Sequence, residues 1–172
     1  MIYYDGKFVA QDIDKSITYF TIAANLNYDE AQFCLGIIYN EGKYVSRNID
    51  KAIHYYLLAS KQNNSDAQYN LAVIYYEGKY IVRDINKAIF YLSISAEQNN
   101  SDAQFLLGVI YESNEYIKRD IDKAIYYYSL AANQNHPKAQ FNLGLIYYEG
   151  EYKKQNIDKA MKYFSLSANK NY

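Results

Sequence analysis

Apolar residues recur along this chain at intervals of three and four positions, which is the spacing of one face of a helix. One such stripe consists of Ala67, Leu71, Ile74 and Tyr75. A second stripe follows after a short polar segment and consists of Ile85, Ala88, Ile89, Leu92 and Ala96. The pattern therefore predicts two successive amphipathic helices, which we call helix A and helix B.

The same pair of stripes returns with a fixed period. Five isoleucines stand 36 residues apart without an insertion or deletion: Ile13, Ile49, Ile85, Ile121 and Ile157. A constant period of this length is typical of stacked supersecondary units. The sequence predicts an all-α fold, an α-α superhelix (solenoid) of 36-residue helix-turn-helix repeats. We expect one solenoid domain over 1–172, with a partial repeat at 1–28 and four full repeats at 29–63, 64–99, 100–135 and 136–172.

Residues that cap helices mark the ends of each predicted element. Ser65 and Gln68 have the spacing of a capping box, which Ser101 and Gln104 repeat, and Pro137 suits a first helical position. Left-handed residues are expected to end helix A at Gly42, Gly78, Asn114 and Gly150. Helix B is expected to begin after Asn48, Asp84, Asp120 and Asn156 and to end at Asn63, Asn99, Asn135 and Asn171.

Glycine also occurs inside helix A, at Gly36, Gly108 and Gly144. A glycine inside a helix costs about 1 kcal/mol relative to alanine. This cost predicts that a neighbouring helix approaches closely at that position.

The first residues do not begin at a repeat boundary. Residues 1–8 match the last turn of a helix A, so the helix B from about Asp12 to Leu26 would have a partly uncovered apolar face. We expect either that the chain is a segment of a longer array or that its ends pair with other chains.

Composition excludes several classes of function. The formal net charge is −1, without the basic stripe that a nucleic-acid-binding protein requires. Cys34 is the only cysteine, so no internal disulfide can form. We find neither a signal peptide nor the run of about 20 apolar residues that crosses a bilayer. We expect no membrane partner and a cytoplasmic location, with secretion as a pathogen effector left open.

Residues that would support catalysis are sparse. His54 and His136 occupy different positions of their repeats, and neither a metal-ligand cluster nor a glycine-rich phosphate loop appears. We therefore expect no enzyme activity, no cofactor and no metal site.

Two motifs carry a family resemblance that runs from about residue 3 to the end of the chain. They are Ala67-Gln68-x-x-Leu71-Ala72-x-x-Tyr75-x-x-Gly78 and Asp84-x-x-Lys87-Ala88-x-x-Tyr91. They resemble the Sel-one-like repeat, a relative of the tetratricopeptide repeat. The resemblance implies an adaptor that assembles complexes by binding other proteins, and in the related tetratricopeptide fold helix A lines a concave groove. Tyr80 and its equivalents stand where that family usually has a second glycine.

Comparison of the repeats with one another suggests where a partner would bind. Positions that vary between repeats on one face of helix A are not required for stacking. An aromatic column borders them and consists of Phe33, Tyr69, Phe105 and Phe141. The candidate partner-binding residues are Asn40, Tyr69, Asn70, Tyr76, Leu106, Glu112, Asn142 and Tyr148. Asparagine can both donate to and accept from an extended peptide, and tyrosine can pack on its side chains.

Other interpretations of the sequence stay open at this point. The variable positions could be ordinary exposed helix residues, or the uncovered terminal helices could assemble the chain into a structural array. An RNA-binding helical repeat is disfavoured, because glutamates stand among the groove positions at Glu41, Glu77, Glu112 and Glu149.

Overall fold

The computed structural model describes residues 13–150 and 154–168, which fold into helices without a strand. The A helices are α2 (Asp29–Glu41), α4 (Ser65–Glu77), α6 (Ser101–Glu112) and α8 (Pro137–Glu149). The B helices are α1 (Ile13–Asn25), α3 (Ile49–Ser60), α5 (Ile85–Glu97), α7 (Ile121–Asn133) and α9 (Ile157–Ala168). The predicted alternation of A and B helices is confirmed. The predictions for residues 1–8 and for Asn171 lie outside the described residues.

The chain divides into two compact units, Met1–Asp84 and Ile85–Tyr172. In the first unit each of α1 to α4 packs against the next, and α2 also contacts α4. In the second unit the same neighbour packing links α5 to α9, and α6 contacts α8. The largest fully buried side chains include Leu35, Tyr56 and Leu71 in the first unit and Leu107, Tyr128 and Leu143 in the second.

Most of the predicted helix ends are confirmed. Left-handed asparagines follow the B helices at Asn27, Asn63, Asn99 and Asn135, with φ between 63° and 66°. Left-handed glycines end three of the A helices at Gly42, Gly78 and Gly150. The side chains of Asn48, Asp120 and Asn156 accept hydrogen bonds from backbone N–H groups in the first turns of α3, α7 and α9.

The prediction that a left-handed Asn114 ends α6 is wrong. The last residue of the helix is Glu112, and it is followed by the C-cap Ser113, whose backbone is extended with φ −68° and ψ 147°. The Ser113 N–H still donates to the Val109 carbonyl at 3.0 Å, and the Ser113 hydroxyl accepts from the Glu115 N–H at 3.1 Å. A local serine turn thus closes the helix without a left-handed residue.

The predicted capping boxes are also wrong. The N-cap of α4 is Asn64, not Ser65, and its side chain accepts from the Ala67 N–H at 2.9 Å. Asn100 caps α6 in the same way. The buried Gln68 reaches back instead to the preceding helix B, where it donates to the Ser60 carbonyl. Gln68 therefore links α4 to the preceding helix α3 by a hydrogen bond.

The close approach predicted at the helix A glycines is confirmed. A Cβ on Gly108 would lie 2.4 Å from Tyr128 Cδ1, and a Cβ on Gly36 would lie 2.5 Å from Tyr56 Cδ1. Gly144 stands in the same relation to Phe164. Each of these glycines makes room for an aromatic ring of the following helix B.

A second aromatic contact recurs between helices A and B. Tyr111 stacks on Tyr127 with ring centroids 5.7 Å apart, and Lys123 places its ammonium 4.9 Å from the Tyr111 ring. Two further repeats have the same arrangement. Lys51 lies over Tyr39, which stacks on Tyr55. Lys159 lies over Tyr147, which stacks on Tyr163. Burial is the main cause that raises the pKa of Tyr127 and of Tyr163, and the adjacent tyrosines add to it. These three lysines are solvent-exposed and also cover tyrosine rings.

Within residues 13–150 and 154–168, no helix is both long enough and apolar enough to cross a bilayer.

Candidate partner-binding site

All eight predicted partner-binding residues lie on A helices. The first unit contains Asn40 on α2 and Tyr69, Asn70 and Tyr76 on α4. The second unit contains Leu106 and Glu112 on α6 and Asn142 and Tyr148 on α8. Tyr148 is 54% exposed, whereas the other seven side chains are half-buried. Half-burial leaves each of these side chains with a surface that a partner can contact.

The second unit has a cleft of about 560 Å³ along α6 and α8. It is lined by Asp102, Phe105, His136, Pro137, Lys138, Phe141, Asn142 and Ser167. Of the predicted residues, Asn142 lies in this cleft, and the 47% exposed Phe141 comes from the predicted aromatic column. Leu106, Glu112 and Tyr148 are not among its lining residues.

One wall of the cleft is held by His136, which occupies the N-cap position of α8. Its Nδ1 accepts a hydrogen bond from the Ala139 N–H at 3.2 Å, and its Nε2 lies 3.2 Å from Asp102 Oδ1. The ring also stacks on Phe105 with centroids 4.6 Å apart. Because Nδ1 accepts, the proton of the neutral ring is on Nε2, which donates to Asp102. These contacts fix the shape of the cleft where α6 and α8 begin.

Tyr128, which is fully buried on α7, connects residues of the two A helices. Its hydroxyl lies 2.6 Å from Glu112 Oε2 and 3.0 Å from Asn142 Nδ2. Two predicted residues from different A helices are thus joined through a tyrosine of the helix B between them. We call Glu112, Tyr128 and Asn142 the tyrosine bridge.

Sequence reasoning missed both Tyr128 and His136. A signal for Tyr128 exists in its column, which contains Tyr56, Leu92, Tyr128 and Phe164 in successive repeats. The two repeats that have a tyrosine in this column also have polar residues at the corresponding helix A positions. Those residues are Asn40 and Asn70 for Tyr56, and Glu112 and Asn142 for Tyr128. His136 replaces the asparagine found at Asn64 and Asn100, so its capping role could have been inferred.

The first unit has a smaller pocket of about 330 Å³ along α1 and α2. Its lining residues are Tyr19, Phe20, Ala23, Tyr28, Glu30, Ala31 and Cys34. None of the predicted partner-binding residues takes part in it. Among the residues that the structure describes, no group of three His, Cys, Asp or Glu side chains is placed to hold a metal ion.

Comparison with protein families gives a match over the whole chain. The family profile described as "Sel1 repeat" matches residues 1–28, 29–64, 65–100, 101–136 and 137–172. A search of the curated proteins found no match.

Solved structures show the same architecture. A Sel1 repeat protein from Oxalobacter formigenes is 28% identical with a TM-score of 0.91, and the match covers 99% of this chain and 70% of that one. The protective antigen c5321 of uropathogenic Escherichia coli, described as displaying an SLR fold, is 26% identical with a TM-score of 0.60. That match covers 99% of this chain and 44% of the antigen. Helicobacter pylori cysteine rich protein B is 25% identical with a TM-score of 0.58, covering 78% of this chain and 96% of that one.

Proposed function

Because the chain belongs to the Sel1 repeat family and has its all-α solenoid fold, we propose that it is an adaptor that binds a peptide or partner protein along its A helices. Sel1 repeat proteins generally serve as scaffolds for protein–protein interactions. A fold alone does not establish a function, so the proposal depends on the site described above.

The cleft along α6 and α8 is the observation that carries this proposal. Its volume of about 560 Å³ suits a few side chains of a ligand rather than a single atom or ion. Phe105 and Phe141 provide apolar surface, and Asp102, Lys138 and Asn142 provide polar groups. Aromatic surface together with polar groups is the usual composition of a protein-recognition site.

The test compares two pairs of exposed aromatic residues in the second unit. The A-face variant is Phe141→Ala/Tyr148→Ala, and the matched control is Phe90→Ala/Tyr126→Ala, whose residues are each 58% exposed on B helices. Proteins captured from a lysate are identified by mass spectrometry after circular dichroism has shown that both variants are folded. We expect the A-face variant to lose partners that the parent and the control retain. Identical partners for all three proteins would refute a binding site on the A helices.

The proposal includes no catalytic step, no cofactor and no contact with nucleic acid or membrane. It places the adaptor in the cytoplasm, where the thiol of Cys34 would remain reduced. Solenoids of this type typically act as non-catalytic scaffolds.

Self-association is a second candidate, supported by the outward face of α9. Met161 is 63% exposed, whereas Ile53, Ile89 and Ile125 occupy the same repeat position and are half-buried. A second copy could cover this face with an apolar helix. Light scattering of the parent and of Met161→Glu over a range of concentrations tests this candidate. A concentration-independent monomer mass for the parent would refute it.

A further inference from the structure

The direction of the hydrogen bonds in the tyrosine bridge follows from the chemistry of its groups. A carboxylate only accepts, so the single proton of the Tyr128 hydroxyl is donated to Glu112. The hydroxyl must then accept from Asn142, which fixes the amide nitrogen towards Tyr128 and leaves Oδ1 on the other side. Glu112 retains further lone pairs, and Asn142 retains its oxygen. The bridge therefore offers mainly acceptors to an incoming ligand.

Negative charge accumulates at the same end of the second unit. Glu112 is the last residue of α6 and Glu149 is the last residue of α8, where each helix dipole adds partial negative charge. Among the described residues, the Glu112 carboxylate accepts the hydrogen bond from Tyr128, and the ion pairs found there do not include it. At the opposite end, Asp102 lies beside His136 and the exposed Lys138 lines the same cleft. The tyrosine bridge thus contributes a carboxylate, Glu112, to the end of the second unit where α6 ends.

We propose that the tyrosine bridge of the second unit binds an arginine side chain of the partner peptide, whose apolar residues occupy the cleft between Phe105 and Phe141. This inference rests on the proposed function. A guanidinium presents several N–H donors in one plane, which suits the free lone pairs of Glu112 together with Asn142 Oδ1. The positive charge of the guanidinium is attracted by the Glu112 carboxylate and by the partial negative charge at the C-terminal ends of α6 and α8.

The spacing within the ligand follows from α6. Phe105 and Glu112 are seven residues apart on one helix, so about 10 Å separates the aromatic part of the cleft from the tyrosine bridge. An extended peptide covers that distance in about three residues. The arginine should therefore lie about three positions from the apolar residues that enter the cleft.

The corresponding residues of the first unit lack the charge. Asn40 stands at the position of Glu112, while Tyr56 and Asn70 correspond to Tyr128 and Asn142. The preference for arginine should therefore depend on one carboxylate, Glu112. This makes a single isosteric substitution a decisive test.

The test selects random 12-residue peptides on phage against the intact 172-residue protein. A selected peptide is then synthesised with a fluorophore in two forms, one with arginine and one with citrulline, which has nearly the same shape but no charge. Both forms are titrated with the parent, with Glu112→Gln and with the control Glu77→Gln, which removes the exposed carboxylate at the end of α4 in the first unit. A glutamine at 112 can still accept the Tyr128 proton, so the bridge is retained without its charge.

We expect the parent to bind the arginine peptide about 10-fold or more tightly than the citrulline peptide. In Glu112→Gln this difference should nearly vanish, with little change for the citrulline peptide, whereas Glu77→Gln should retain it. Selected peptides without an enriched arginine, or an equal affinity for both forms, would overturn the arginine site and leave the adaptor function standing. No selected peptide at all, together with unchanged partners in the A-face variant, would overturn both.

Discussion

Replacing Gly108 by alanine should destabilise the protein, although alanine is the better helix former. A Cβ at this position would lie 2.4 Å from Cδ1 and 2.5 Å from Cε1 of Tyr128. That ring is fully buried, and its hydroxyl is held by Glu112 and Asn142. The ring cannot withdraw without stretching those hydrogen bonds or moving α7.

The competing effects have opposite signs. The helix propensity of alanine would stabilise α6 by about 1 kcal/mol. Forcing a methyl group into a well-packed site costs about 1–3 kcal/mol, and each displaced hydrogen bond costs about 0.5–1.5 kcal/mol more. We therefore expect Gly108→Ala to lower the free energy of unfolding by about 1–3 kcal/mol in total.

Urea unfolding followed by circular dichroism would measure the effect in a double-mutant cycle with Tyr128→Leu. The second repeat already carries this pair of residues, as Ala72 and Leu92 in the same two sequence columns. In the leucine background the Gly108→Ala change should be neutral or stabilising, which gives a coupling energy of about 1–3 kcal/mol. If Gly108→Ala alone raised the stability by about 1 kcal/mol, the contact would not constrain the helix pair and the argument would be refuted.

Three further predictions concern the helix ends and the buried polar groups. At Asn63, where φ is 64°, alanine should lower the free energy of unfolding by about 1–2 kcal/mol while glycine should not, as thermal melts of the two variants would show. Gln104→Met should lower the free energy of unfolding by about 1–3 kcal/mol, because it removes the side-chain amide that donates to the Ala96 carbonyl at 3.1 Å. Urea unfolding measures this effect, and an unchanged midpoint would show that another donor replaces the amide. The raised pKa values of Tyr127 and Tyr163 mean that the folded state holds these protons more tightly than the unfolded state. The two tyrosines therefore contribute fully to stability below pH 10.0, the ordinary pKa of tyrosine, and this contribution is lost as the pH rises beyond it. The double variant Tyr127→Phe/Tyr163→Phe should therefore lose less stability over the same rise in pH.

Much of the fold could be predicted because the apolar stripes and helix-capping residues recur at equivalent positions of successive repeats. The 36-residue period predicted the A and B helices found between residues 13 and 168, and the glycines inside helix A indicated the close helix contact. The error at Ser65 has a simple cause. Asn64 and Ser65 are adjacent and both can cap a helix, so the sequence does not say which of them stands outside it.

The candidate site was less predictable because it depends on residues from several helices. Column comparison identified the helix A face of Asn142 and Glu112. It could not show that both bind one buried hydroxyl, since Tyr128 lies on a helix B that was assigned to packing. The direction of the Asn142 amide likewise follows only from that contact.

The tyrosine bridge also bears on how such an array can change by recombination. Tyr128 takes its acceptor, Glu112, from its own repeat and its donor, Asn142, from the next one. A genetic exchange that copied the third repeat over the fourth would bring the Leu106 position to Asn142 and leave the hydroxyl without a donor. An exchange that moved two adjacent repeats together would carry acceptor, tyrosine and donor as a set. Repeats of equal length are therefore not freely interchangeable, and the heritable module of this chain is the pair.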